Sequence, residues 1–254
     1  MSYPSLLRDR LIHPFGRAIL SSANRALSYA SPIEARPVYD PKEFAKEFAW
    51  TRILENQYPS ILRELEGLLE GCDYIPEFSA LSRDQAHLAK SGDWRTYFFV
   101  AYGEWAHENA ARCPKTVEAI NKIPGLRTAF FSILAPGARI HPHRGPYGGV
   151  LRYHLGLIVP QAYERCRIRI GDEWISWRAG ESVIFDDTFE HEVINDTDEA
   201  RVVLFVDFER PLIQPAGEIN RALLELIRRS PLVQDGVANY ERAIAERRAA
   251  STES

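Results

Sequence analysis

Three observations predict a mainly β domain with flanking helices. First, from residue 126 to 208 short apolar segments alternate with turns, at 129–134, 150–159, 166–170, 174–177, 182–185, 190–195 and 202–208. Pro136-Gly137, Gly148-Gly149, Gly171-Asp172, Ala179-Gly180 and Asn195-Asp196 supply the turn signals. Short strands at regular spacing indicate a sandwich or a barrel. Second, the apolar residues before this stretch recur at helical spacing, as do those after it. Third, His143, His154 and His191 all lie within the β-rich stretch. A neutral imidazole is the commonest protein metal ligand. Metal-ligand histidines on two of the strands favour a double-stranded β-helix, the cupin-like jelly roll.

Taken in order, residues 1–37 read as an N-terminal helical arm and linker. The arm holds Arg8, Arg10, Arg17 and Arg25 against one acid, Asp9. Two readings stay open for residues 1–30: a basic amphipathic contact with an anionic membrane surface, or an arm packed on the domain. Pro32, Pro37 and Pro41 mark the linker. Asp40-Pro41 has the form of an N-cap followed by proline at the first helical position. From there Phe44, Phe48, Ile53, Leu54, Tyr58, Ile61, Leu62, Leu65, Leu68 and Leu69 predict helix up to Gly71, kinked or split by Pro59. The run 96–102 predicts a buried strand, and 114–123 a short helix stopped by Pro124-Gly125. After Pro211, Ile219, Leu223, Leu226 and Ile227 predict a helix over 216–229. The domain is bounded at 38–212, followed by a C-terminal helical extension and tail over 213–254.

Composition excludes several classes. A net charge of −4 over 254 residues leaves no nucleic-acid footprint, so an anionic ligand must be held by local arginines. Cys72, Cys113 and Cys166 form neither a zinc C-x-x-C pattern nor a disulfide framework, which fits a reducing cytoplasm. No apolar run approaches the roughly 20 residues of a transmembrane helix.

The chemistry concentrates in His143, His191 and Arg201. An oxygen-activating iron site usually carries two histidines and a carboxylate. The carboxylate is expected two residues after the first histidine, where this chain has Gly145. His141 and His143 share a strand face, so spacing alone does not choose between them. Arginine offers a planar fork that fits the far carboxylate of a 2-oxoglutarate cosubstrate. The plainer reading of Arg201 is a surface ion pair with Glu199. Ser132 can add a hydroxyl to the same carboxylate, and Asp186 and Asp187 precede His191 closely enough to approach a metal. Trp174 and Trp177 read as sheet core.

Several motifs, in order, resemble the aspartyl/asparaginyl β-hydroxylases. They are Gly92-Asp93-Trp94, Glu108-Asn109-Ala110, Pro114-Lys115-Thr116, Phe131-Ser132-Ile133-Leu134 and His143-Arg144-Gly145-Pro146. Leu151-Arg152-Tyr153-His154-Leu155-Gly156-Leu157, Phe185-Asp186-Asp187-Thr188-Phe189-Glu190-His191-Glu192-Val193 and Phe205-Val206-Asp207 complete the series, so the resemblance covers about residues 38–212. It implies a jelly-roll oxygenase that uses Fe(II), 2-oxoglutarate and O2. It selects His143 and His191 as iron ligands. It also implies that Ser132, Arg201, His154, Arg152 and Trp94 line the cosubstrate and substrate pocket, with Arg152 and His154 facing the substrate. Asp187 would orient a metal-bound water, and Asp186 would be structural. The family also has glycine at the Gly145 position, whereas the similar lipid A 2-hydroxylases have aspartate there. Val150 departs from the family, standing where a second pocket arginine is expected.

The expected function is hydroxylation of an unactivated C–H bond, β-hydroxylation of an aspartyl, asparaginyl or related amino-acid or peptide substrate. Two alternatives are hydroxylation of a lipid-linked acyl chain and a non-enzymatic metal-binding jelly-roll module. The expected location is cytoplasmic, with peripheral membrane contact through residues 1–30 under the acyl-chain reading.

Overall fold

The computed structural model describes residues 22–71, 74–81 and 87–252. Most of the N-terminal arm, including Arg8, Arg10 and Arg17, lies outside the described residues, as does Cys72. Among the described residues eleven strands form two antiparallel sheets. The larger holds seven: β1 (Val38–Tyr39), β9 (Ser182–Phe185), β6 (Val150–Ile158), β11 (Arg201–Glu209), β4 (Leu126–Leu134), β2 (Trp94–Ala101) and β3 (Glu104–Trp105), in that spatial order. The smaller holds four: β5 (Arg139–His143), β10 (His191–Asn195), β7 (Cys166–Ile170) and β8 (Glu173–Ser176). Helices among the described residues include α1 (Thr51–Gly71), α2 (Phe78–Leu81), α3 (His107–Arg112), α4 (Pro114–Ile120), α5 (Ala216–Arg228) and α6 (Pro231–Thr252).

The expectation of a mainly β double-stranded β-helix, jelly-roll and cupin-like, is corrected by this arrangement. The fold is mixed α/β with two separate antiparallel sheets, and neither sheet closes into a barrel or curls. The physical reason lies in the second face of the large sheet. Its outward residues, among them Tyr97, Phe99, Phe131, Tyr153, Leu155, Leu204 and Val206, bury against Leu54, Ile61, Leu65 and Leu68 of α1. Helix therefore covers one face, and only the other is left for the small sheet.

Between the sheets sits a second core, built from Phe98, Phe130, Leu134, Val203 and Phe205 on one side and Ile140, Ile168, Ile170 and Val193 on the other. Successive residues of a strand point to opposite faces. Residues 201, 203, 205 and 207 of β11 therefore share the inner face, and so do 152 and 154 of β6. Cross-strand register extends that row: Arg201 pairs with Leu134, Val203 with Ser132, Phe205 with Phe130 and His154, and Asp207 with Thr128 and Arg152.

Most strand positions follow the apolar segments of the sequence, with differences at three places. Helix begins at Thr51 rather than Asp40, because 41–50 forms turns; the Asp40 carboxylate takes up only the Lys42 N–H, at 2.8 Å. Pro59 lies inside α1 without splitting it. β5 carries Pro142, which cannot donate to a ladder, and the strand is accordingly at a sheet edge.

The C-terminal helices tie back to the site-bearing sheet. Tyr240 of α6 is buried; its hydroxyl accepts from the Phe98 N–H at 3.1 Å and donates to the Thr96 carbonyl at 3.1 Å. Asn220 of α5 donates to the Gly149 carbonyl at 2.9 Å and accepts from the Tyr147 hydroxyl at 2.7 Å, bracing the loop after His143. Among the described residues no helix is long and apolar enough to cross a membrane. Tyr240→Phe leaves buried β2 groups short of a partner and is expected to lower unfolding stability by about 1–3 kcal/mol, measured by urea denaturation.

Candidate functional site

Antiparallel pairing places His143 of β5 directly opposite His191 of β10, with their ring centroids 4.1 Å apart. Each ring is oriented by its own backbone: Nδ1 of His143 lies 2.8 Å from the His141 carbonyl, and Nδ1 of His191 lies 2.9 Å from the Phe189 carbonyl. A carbonyl only accepts, so each Nδ1 carries the hydrogen and each Nε2 presents a lone pair. Burial holds both rings neutral. It lowers the His143 pKa, and it brings His191 down to about 3, with His143 and Arg152 adding to the effect. Two neutral imidazoles side by side form the donor set a divalent metal requires. The His141 ring is exposed, and its carbonyl is what serves the pair.

Gly145 is explained by what stands beside it. A Cβ at 145 would lie 2.1 Å from Asp187 Oδ2, so any side chain there would displace that carboxylate. The Gly145 N–H also donates to the Asp187 carbonyl at 2.7 Å. Asp187 thus fills the space that a residue-145 carboxylate would use. Its Oδ2 pairs with Arg152 at 2.9 Å, while its buried Oδ1 has no partner. Burial raises the Asp187 pKa, against the pull of Arg152 and helped by Asp207 and Asp186. Asp186 is engaged elsewhere: it pairs with the buried Arg210, and its Oδ1 accepts from the Thr188 N–H and hydroxyl.

The two inner-face arginines differ sharply. Arg152 bridges Asp187 and Asp207, donating to Asp207 Oδ1 at 2.8 Å, and lies over the Phe205 ring at 4.3 Å. Burial alone would lower its pKa, but the two carboxylates raise it overall. Arg201 is 1% exposed, and among the described residues no carboxylate pairs with it. The surface ion pair considered from the sequence is absent there; Glu199 accepts from the Gln161 N–H instead. Arg201 donates to the Ser132 carbonyl at a long 3.5 Å, contacts the Cys166 thiol, and lies 4.5 Å from the Trp177 ring centre. Its Nε has no partner, and burial pushes its pKa down to about 10.

Other buried polar atoms around this space are also unpartnered: both His154 ring nitrogens, Trp177 Nε1 and Thr96 Oγ1. His154 sits among Phe185, Phe205 and Trp177, where burial drives its pKa well below the ordinary value. Ser132 is buried; its hydroxyl accepts from Trp94 Nε1 at 3.0 Å, and Trp94 stacks on Phe78 with centroids 3.9 Å apart. Buried polar groups are nearly always hydrogen-bonded, so several orphans in one space mark a place for a polar ligand.

The sequence-selected residues come from the inner faces, Trp94, Ser132, Arg152, His154 and Arg201 on the large sheet and His143 and His191 on the small one, except Asp187, which lies in the loop between β9 and β10. Sequence reasoning gave no role to Asp207 and read Trp177 as sheet core only. The two-residue period from Arg201 through Phe205 would have brought Asp207 to the same face. Nothing local distinguishes Trp177 from core.

Comparison with known proteins identifies the class. The chain belongs to the aspartyl/asparaginyl beta-hydroxylase family, whose profile matches residues 55–211. It is 43% identical over 205 residues to an ornithine lipid ester-linked acyl 2-hydroxylase of Rhizobium tropici, covering 81% of this chain and 72% of that protein. It is 32% identical over 204 residues to the human aspartyl/asparaginyl beta-hydroxylase, covering 75% of this chain but only 25% of the human protein. A rat aspartate beta-hydroxylase domain-containing protein 2 is 32% identical over 193 residues, covering 70% of this chain and 52% of that one. Family membership gives the chain a hydroxylase-type activity.

Two outcomes are expected. Gly145→Ala forces Asp187 off its place and is expected to cost about 1–3 kcal/mol of stability, read by thermal or denaturant unfolding. The second concerns pH. His154 and His191 stay neutral in the fold but titrate near 6.5 when unfolded, so below that pH the unfolded state binds more protons. Stability of the metal-free protein should therefore fall as pH drops from 7 to 5, by up to about 2 kcal/mol per buried imidazole. Asp187 acts with the opposite sign, since its raised pKa lets the folded state take up a proton first. Urea titrations at both pH values check this, and His154→Leu should flatten the fall.

Proposed function

We propose that the protein is an Fe(II)- and 2-oxoglutarate-dependent dioxygenase that hydroxylates an unactivated C–H bond of a lipid-linked acyl chain, with residues 38–212 as the oxygenase unit. The observation that carries this reading is the pairing of two neutral imidazoles, Nε2 lone pairs free, with a buried arginine that no carboxylate neutralises. The donor set fits ferrous iron, for which imidazole is a suitable ligand. Among the described residues no cluster of three His, Cys, Asp or Glu side chains could hold a metal, so His143 and His191 would be its only protein ligands there. Iron with 2-oxoglutarate would supply the oxygen activation, a chemistry that belongs to the cofactor and not to side chains.

The chain's own residues have separable tasks. Arg201 would bind the far carboxylate of 2-oxoglutarate in a bidentate fashion, with Ser132 beside it and Trp94 holding the Ser132 hydroxyl. His154, with both nitrogens unpartnered, would contact the cosubstrate or substrate. Asp187 Oδ1 would accept a hydrogen bond from water beside the histidine pair. Phe130, Phe185 and Phe205 keep bulk water away.

Arg152 argues for the acyl substrate. It is already neutralised by Asp187 and Asp207, and Val150, two residues before it, brings no second cation. That leaves little to hold the carboxylate of an aspartyl side chain. The relative with 43% identity is named for acting on an ester-linked acyl chain of ornithine lipid, which supports the same choice. Under this reading residues 1–30 would meet an anionic membrane surface from the cytoplasmic side. An aspartyl, asparaginyl or peptide substrate is the second reading, supported by the family match over residues 55–211.

The test is oxygen-dependent turnover of 2-oxoglutarate by the purified chain with Fe(II), supplied in turn with vesicles of an ester-linked acyl lipid and with an aspartyl peptide. Turnover coupled to a hydroxylated acyl chain is expected, with His191→Ala losing at least roughly 100-fold. Arg201→Lys should chiefly raise KM for 2-oxoglutarate, by about tenfold or more. Coupling only to the peptide would select the second reading, and turnover unchanged in His191→Ala would sink both.

A further inference from the structure

Trp177 is fully buried, at 0% exposure, yet its Nε1–H has no hydrogen-bond partner. A buried tryptophan N–H usually finds one, and leaving it unpaired costs about 1–3 kcal/mol. Its neighbours share that condition. One ring face lies 4.5 Å from the Arg201 guanidinium carbon, and the ring centroid is 5.9 Å from that of His154. Arg201 Nε and both His154 nitrogens are unpartnered too.

The fold builds this position deliberately. Trp177 directly follows β8, where the chain leaves the small sheet; two residues later Ala179 bridges to Gly156 of the large sheet. The crossing is pressed tight: a Cβ on Gly156 would lie 2.2 Å from the Arg178 carbonyl oxygen. Trp174, within β8, shows the contrast: it is 43% exposed and merely lies under Arg167.

We propose that Trp177 is a cosubstrate-binding residue: its indole N–H donates to the 2-oxoglutarate that Arg201 anchors, while its ring face fixes the guanidinium. This rests on the reading of Arg201 given above. Apolar packing alone would explain the burial but not a donor left unpaired between two other unpaired groups.

The test uses the full chain with Zn(II) as a redox-inert stand-in for iron. Isothermal titration with 2-oxoglutarate should show binding to the wild type and roughly 5–30-fold weaker binding to Trp177→Phe, which keeps an aromatic face and removes the donor. In the metal-free protein Trp177→Phe breaks no hydrogen bond, so any fall in melting temperature reports only the packing lost with the smaller ring. A second readout needs no stable variant. In protein labelled with 15N-tryptophan, one of the five indole N–H signals should move downfield on adding 2-oxoglutarate. The signal missing from Trp177→Phe identifies it. Equal affinity in the variant, or an indole signal that stays put while the ligand binds, overturns the role of Trp177 alone. No binding of 2-oxoglutarate by the wild type overturns the cosubstrate reading itself, and this role with it.

Discussion

A guanidinium buried between two sheets must be paired or must wait for a partner, and this protein contains one of each. Arg152 is held by Asp187 and Asp207. That triad fixes the β9–β10 loop against the large sheet, sets Asp187 beside Gly145 and so shapes the approach to the histidine pair. Removing one partner of such a set leaves a buried charge uncompensated, typically at a cost of about 3–5 kcal/mol. Arg201 has no such relief; its position is kept by the Trp177 face, the Cys166 thiol and the Ser132 carbonyl. The cost of an uncompensated cation in the interior is compatible with a stable fold only because other groups around it hold it, and an arriving dianion would offset it. Among the described residues, both His154 nitrogens, Trp177 Nε1 and Arg201 Nε lie unpartnered around that one space.

The strand positions and the site were legible in the sequence to different degrees. Apolar segments and turn pairs marked β7 and β9 at their observed ends, because each is short and bounded by strong breakers. β5 stood outside the apolar segments, its strand character read only from His141 and His143: Arg139 to His143 carries a proline and no continuous apolar face, and pairing to β10 fixes its extent. The jelly roll expected from strand spacing and the histidines did not survive, since spacing cannot tell which strands share a sheet, and α1 took the second face of the larger one.

The metal-ligand candidates came from motif order. What motifs could not give was occupancy. Arg152 and Arg201 look alike in sequence, each an arginine on an apolar strand, yet one is neutralised and the other is not. The same gap hid Trp177, whose burial was legible and whose unpaired N–H was not. Gly145 was readable as an absence only; that Asp187 stands in its place is a contact between residues 42 positions apart in the chain.

The edge position of β5 has a consequence for how firmly the two histidines are held. His191 lies on β10, laddered on both sides by β5 and β7, whereas β5 is laddered only by β10. Backbone amides open more readily where only one neighbour must be released. Amide hydrogen exchange in the metal-free protein would therefore be graded across the pair, fast on the His143 side and slow on the His191 side. A bound ion would erase most of that gradient, tying the loose edge to the protected strand.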